Sequence, residues 1–137
     1  MTREKSCGAI VYTRDADGIN YIMIESLEGF FGFPKWHMET GESETETAAR
    51  EIYEEIGLRP RLITQFRMTD EHMIPGKDVM KEIVYFLAED DGKTEPQYQK
   101  AELLGVYKMS FDEAYGKLKF DRIREILRAA DEYIRTH

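Results

Sequence analysis

The segment Arg50-Glu51-Ile52-Tyr53-Glu54-Glu55 concentrates more chemistry than any other stretch of this sequence. Read as a helix, it sets Glu51 and Glu55 one turn apart with Glu54 beside them, so that three carboxylates crowd one edge. Like charges at that spacing repel, and no lysine stands one turn away to relieve them. A hard divalent cation is the natural counter-charge. Mg2+, or Mn2+ in its place, takes oxygen ligands, keeps several waters and is usually held by one or two carboxylates together with substrate phosphates. Such a metal lowers the pKa of a bound water and neutralises phosphate charge during displacement at phosphorus.

The helix that must carry these groups is specified locally. Ser43 followed by Glu46 reads as a capping box, and Glu42, Glu44 and Glu46 lie where the helix dipole favours negative charge. Gly57 supplies the stop, with Pro60 beyond it. Ala48, Ala49, Ile52 and Ile56 form the apolar stripe expected to face a sheet, which leaves Arg50 and the glutamates toward the rim.

From Glu42 to Leu58 the sequence resembles the signature box of the Nudix hydrolases: G, five residues, E, seven residues, REU, one residue, EE, one residue, GU, with U a bulky aliphatic. All eight fixed positions from Glu42 onward match, while Trp36 stands where the family has its opening glycine. The preceding run Pro34-Lys35-Trp36-His37-Met38-Glu39-Thr40-Gly41-Glu42 looks like the variant of the box found in the asymmetrical dinucleoside tetraphosphate hydrolases. Lys81 ahead of Tyr85-Phe86-Leu87-Ala88 agrees with that subfamily, but the tyrosine it carries downstream of the box is replaced by Ile74 and Pro75.

The resemblance implies a single Nudix domain over residues 1–137, an α/β/α sandwich with a mixed β-sheet flanked by helices. It implies Glu54 and Glu55 as metal ligands, Glu51 as a third ligand or the base for the attacking water, and Arg50 as an orienting residue paired with Glu42. Glu102, ahead of the last apolar segment, is a further candidate base or ligand, with Glu95 competing. Lys35, Trp36, His37, Lys81 and Tyr85 are the expected substrate contacts. A glycine at position 36 would serve the backbone, so the indole is expected to point outward and be tolerated, the alternative being a ring that forms a wall on which a base stacks. The implied reaction is hydrolysis of a nucleoside diphosphate linked to another group, foremost a dinucleoside polyphosphate such as diadenosine tetraphosphate. A triphosphate or nucleotide-sugar pyrophosphatase and a non-catalytic nucleotide-binding domain are the alternatives.

Composition agrees with a small-molecule nucleotide substrate. A net charge of −8 gains no counterion-release energy from nucleic acid or an anionic membrane. Cys7 is the only cysteine, which excludes an internal disulfide or a cysteine-based zinc site and suits a reducing compartment. No apolar run is long enough to span a bilayer and the charged start is no signal peptide, so the cytoplasm is the expected location. Oligomeric state leaves no trace in the sequence.

Around the box, residues 6–12 read as a buried strand, 14–18 as a turn and 21–24 as the returning strand. Asp15 and Asp17 do not continue into the spacing of a calcium loop. Residues 28–34 form a glycine-punctuated loop, and some of its three phenylalanines are expected in the core in preference to stacking on a base. Residues 62–68 read as a strand, 69–81 as a loop over the site with His72 on the surface, and 82–88 as the strongest strand. Residues 94–100 are expected as loop and 103–109 as a strand. Ser110 with Glu113 caps a short helix over 111–115, and a last helix over 120–134 presents Ile123, Ile126, Leu127, Ala130 and Ile134.

Overall fold

The computed structural model describes residues 1–98, 101 and 103–137. In chain order these give β1 (Thr2–Asp15), β2 (Gly18–Ser26), β3 (Phe31–Gly32), β4 (Lys35–His37), α1 (Glu44–Ile56), β5 (Arg61–Met73), β6 (Val79–Asp90), β7 (Leu103–Met109), α2 (Phe111–Lys117) and α3 (Asp121–Thr136). The mixed sheet runs β3-β2-β1-β6-β5, with β4 added to β1 and β7 to β2. It is the expected α/β/α sandwich.

The strand β1 lies at the centre because it can be buried on both faces. Cys7, Ala9 and Val11 point toward α1, and Ile10 and Tyr12 toward the opposite layer, as period-2 alternation requires. Strand β6 runs parallel to β1 from Thr2↔Val79 to Thr13↔Asp90 and repeats the division. Val84, Phe86 and Ala88 meet Ala48, Ile52 and Ile56 of α1, while Ile83, Tyr85 and Leu87 meet Leu118 and the stripe of α3. That stripe is the one expected: Ile123, Ile126, Leu127, Ala130 and Ile134 are all buried. Among the described residues no helix is long and apolar enough to cross a membrane.

Local signals fix the helix ends. The Ser43–Glu46 capping box is complete, and Gly57 closes α1 at φ 74° with its N–H donating to the Tyr53 carbonyl. The Ser110–Glu113 box is likewise complete, but α2 continues to Lys117. Phe120, expected as the first residue of the last helix, is its N-cap. The expected loop over residues 69–81 is corrected: β5 extends to Met73 and β6 begins at Val79. Five cross-strand pairs, from Thr69↔Val84 to Met73↔Met80, satisfy that backbone, and the turn needs only Pro75 and the positive φ of Gly76, with Lys77 N–H donating to the Ile74 carbonyl. Ala49, expected in the α1 stripe, is exposed, and Glu51 and Glu55 take buried positions instead.

Gly8 brings the site strand into place. A Cβ here would lie 2.0 Å from the Pro34 carbonyl oxygen and 2.3 Å from Lys35 Cβ. Only glycine lets β4 pair with β1 through Ser6↔His37, Cys7↔Trp36 and Gly8↔Lys35. Gly8→Ala should therefore cost about 1–3 kcal/mol through overpacking. The measurement is the urea midpoint, and KM should rise with the loss because Lys35 is displaced.

Candidate active site on helix α1 and strand β4

Helix α1 buries Glu51 to 1% and Glu55 to 6% exposure, whereas Glu54 is partly exposed. The expectation that all three carboxylates lie at the rim is thus corrected for two of them. The neutralising group missing from a search for lysines is Arg50. Its Nη1 donates to Glu51 Oε1 at 2.8 Å and to Glu54 Oε2 at 3.1 Å. Nε donates to Glu42 Oε2 at 2.6 Å, and Nη2 donates to Glu42 Oε1 at 3.0 Å and to the His37 carbonyl at 3.1 Å. The pairing of Arg50 with Glu42 is therefore bidentate. Glu42 is steadied from its other side by the Glu39 N–H and the Thr47 hydroxyl, both at 2.9 Å.

Strand β4 presents the expected substrate contacts with differing success. Trp36 is 46% exposed, and together with Lys35 and Glu55 it lines a cavity of about 480 Å3. The indole is thus exposed, as an outward-pointing ring would be, and it also forms part of the cavity wall. Lys35 Nζ and Lys81 Nζ lie 5.5 and 5.3 Å from the ring centroid, within cation–π range. The His37 ring stacks on Trp36 at 4.4 Å and approaches Glu4, so it lines neither cavity of the site.

A second cavity of about 300 Å3 shares Ile24, Ser26 and Lys35 with the first and is bounded by Lys81, Tyr85, Asp70 and His72. Tyr85 is buried there, and burial raises its hydroxyl pKa. Burial, and secondly the neighbouring Lys81, lowers the Lys35 ammonium to about 8. His72 is half-buried with Nδ1 3.3 Å from Asp70 Oδ2, which corrects its reading as a surface histidine. A larger cleft of about 640 Å3 lies between the C-terminal end of α1 and Glu89–Asp91, and none of these groups lines it.

The carboxylates of α1 offer only oxygen, which suits a hard cation that keeps several waters. Among the described residues no three metal-binding side chains converge into a closed cage. An incomplete site finished by substrate phosphates is the arrangement such a donor set fits. Glu102 lies outside the described residues; Glu95 precedes Gln97, whose N–H donates to the Ile56 carbonyl at the end of α1.

The NUDIX domain model matches residues 3–130. The chain belongs to the Nudix family. Members of this family generally work with a divalent cation such as Mg2+ on small nucleotide substrates. Among curated proteins, the asymmetrical bis(5'-nucleosyl)-tetraphosphatase of Sus scrofa is 26% identical over 146 residues, covering 95% of each chain. Among solved structures, a C. elegans Ap4A hydrolase in a binary complex superposes with a TM-score of 0.90 at 20% identity, over 98% of this chain and 99% of that one. The E. coli dihydroneopterin triphosphate pyrophosphohydrolase shares the fold with a TM-score of 0.74 at 17% identity, over 94% and 97% of the two chains. This Nudix chain thus carries its signature carboxylates on α1 and its basic, aromatic strand β4 across one cleft.

The Arg50 hydrogen bonds, and next the Glu39 N–H, hold the Glu42 carboxyl down at about 2. Glu44 is also held at about 2, by Arg67 first and then Lys5. Both folded values lie below the ordinary 4.5. The unfolded chain therefore takes up these protons first, and the stabilisation, complete above pH 4.5, is lost as pH falls toward 2. The thermal midpoint should drop across this window. Glu42→Gln should lower it at neutral pH and flatten its acid limb, a comparison that calorimetry at several pH values makes directly.

Proposed function

We propose that this Nudix chain hydrolyses dinucleoside polyphosphates, with diadenosine tetraphosphate cut unequally into a triphosphate and a monophosphate. One observation carries the reading: Lys35, Trp36 and Glu55 line the same cavity, with Lys81 Nζ 5.3 Å from the indole centroid. A nucleotide needs those three kinds of partner together, namely cations for phosphate, a ring for the base and carboxylates for the metal that accompanies phosphate. The name of the Sus scrofa relative, similar along nearly its whole length, supports the same substrate class.

In this reading Glu54 and Glu55 hold the divalent cation, and Glu51 stands beside them as a third ligand or as the base for water. When bound, the metal supplies a water of lowered pKa and neutralises phosphate charge. Arg50 holds two of these carboxylates and the Glu42 loop in one arrangement. Lys35 and Lys81 draw the polyphosphate against the β4 side of the cleft. The exposed part of the Trp36 ring contacts a base at the mouth of the cavity.

Product analysis tests the reaction. Ion-exchange chromatography of diadenosine tetraphosphate treated with Mg2+ should show ATP and AMP in equal amounts. Two molecules of ADP, or much faster turnover of simple triphosphates, would reject the proposal. Glu55→Gln should lose most turnover with the fold intact, because an amide keeps the shape but not the charge of a metal ligand. Trp36→Gly should raise KM about tenfold, or about 1.4 kcal/mol, with kcat nearly unchanged. Unchanged KM would remove the indole from substrate binding.

A further inference from the structure

Behind the cleft, the cavity of about 300 Å3 contains a group of charges for which the reaction above has no use. Asp70 is only 7% exposed, on β5, a strand with no residue of the signature box. Its Oδ1 accepts a 2.7 Å hydrogen bond from Arg122 Nε near the start of α3, and His72 Nδ1 lies 3.3 Å from its Oδ2. The Arg122 guanidinium rests 4.9 Å over the Phe120 ring. A buried carboxylate is costly unless paired, so Asp70 and Arg122 fix one another.

The pairing leaves Arg122 able to bind something else. It uses Nε, and among the described residues neither Nη group has a hydrogen-bond partner. The Arg122 side chain is 40% exposed and lines the cavity. Among the described residues Asp70 is the only acidic side chain on that lining, against the three cations Lys35, Lys81 and Arg122. The chamber is therefore positive in a chain of net charge −8. Lys35 lines both cavities, so the cation beside Glu55 also borders the chamber that Arg122 lines.

We propose that Arg122, held by Asp70 and flanked by His72, binds the phosphates of the substrate arm remote from the cleaved anhydride. Arg122 touches the substrate, and Asp70 is a positioning residue that acts through it. The proposal rests on the hydrolase reading above and adds to it a device that discriminates by polyphosphate length. A planar fork already anchored through one nitrogen loses little freedom when its other nitrogens meet an anion.

The test separates binding from turnover. Arg122→Ala leaves the buried Asp70 carboxylate without its guanidinium, so where it departs from the wild-type circular dichroism the double variant Arg122→Ala with Asp70→Asn, which removes that charge, carries the experiment. With EDTA present, calorimetry should show ATP binding at least about fivefold weaker in Arg122→Ala and adenosine binding unchanged. Equal weakening of both ligands would mean that the residue supports the base through Phe120, and unchanged ATP binding would mean that it holds no phosphate; either result overturns the proposal. In kinetics, Arg122→Ala should raise KM for diadenosine tetraphosphate about tenfold with kcat within about twofold, and raise it less for the triphosphate homologue. Asp70→Asn should copy this effect, and the double variant should add nothing to it. A fall in kcat alone, or equal effects on both substrates, would reduce the pair to a structural role. If no dinucleoside polyphosphate is cleaved but ATP binding still depends on Arg122, the hydrolase reading fails and the phosphate site stands.

Discussion

The arrangement of this site depends on one guanidinium. Arg50 has five N–H donors, and five acceptors meet them: both oxygens of Glu42, one each from Glu51 and Glu54, and the carbonyl of His37. Three segments are thereby tied together, namely β4 through His37, the following loop through Glu42, and α1 through its glutamates. A lysine could not substitute, since its compact ammonium lacks the planar fork that takes Glu42 bidentately. The same contacts leave a charge imbalance. Four carboxylates, those of Glu39, Glu42, Glu51 and Glu54, lie within 3.6 Å of one cation. A local excess of negative charge at a partly buried helix edge is stabilised by a further cation, which is the physical argument for a metal here.

The cleft is a consequence of how the sheet divides. One edge of β1 pairs with β4 over Ser6–Gly8 and with β2 from Val11 onward. Beyond Ile22, β2 has left β1, and its Ile24 and Ser26 become walls of both cavities, while Lys35 of β4 forms the third shared wall. The divergence opens between two strands that are each well anchored elsewhere: β2 continues along β7, and β4 is held against Gly8. Lys5 and Arg67 meet on Glu44 and fasten the start of α1 to β1 and β5. A rigid helix therefore faces a rigid strand across the gap, the kind of support that keeps reacting groups in register.

Much of this was legible in the sequence because the signals were local. The two capping boxes, the Gly57 stop and the α3 stripe each depend on residues within a few positions of one another, and the structure contains all of them. The signature spacing put Arg50 beside Glu42 for a similar reason. What escaped were features set by distant partners. Only the turn end of the β5–β6 hairpin, residues 69–81, reads as a loop in the sequence, since Thr69, Asp70, Glu71 and His72 are polar and gain strand character only by pairing with β6. Asp70 and His72 consequently went unnoticed as a pair, because Arg122, which gives the buried carboxylate its counter-charge, lies 52 residues away. The burial of Glu51 and Glu55 was missed because helical periodicity treats charged positions as solvent-facing, whereas a functional edge places them inward.

The departure at position 36 has an electrostatic meaning once the strand is considered. Trp36 pairs with Cys7 in β4, and among the described residues no non-glycine residue has positive φ, so this chain needs no glycine at that point. The substitution changes the side chain and leaves the backbone unstrained. Lys35 and Lys81 converge on the site with like charges, and burial already draws the Lys35 ammonium down to about 8. The indole centroid lies within 5.5 Å of each ammonium, and its ring stacks on His37. A cation over an aromatic ring is attracted by about 0.5–2 kcal/mol, which offsets part of the repulsion between the two side chains. The two side chains converge in a half-buried cleft before any phosphate arrives, with a contribution from the ring that a glycine at position 36 would lack.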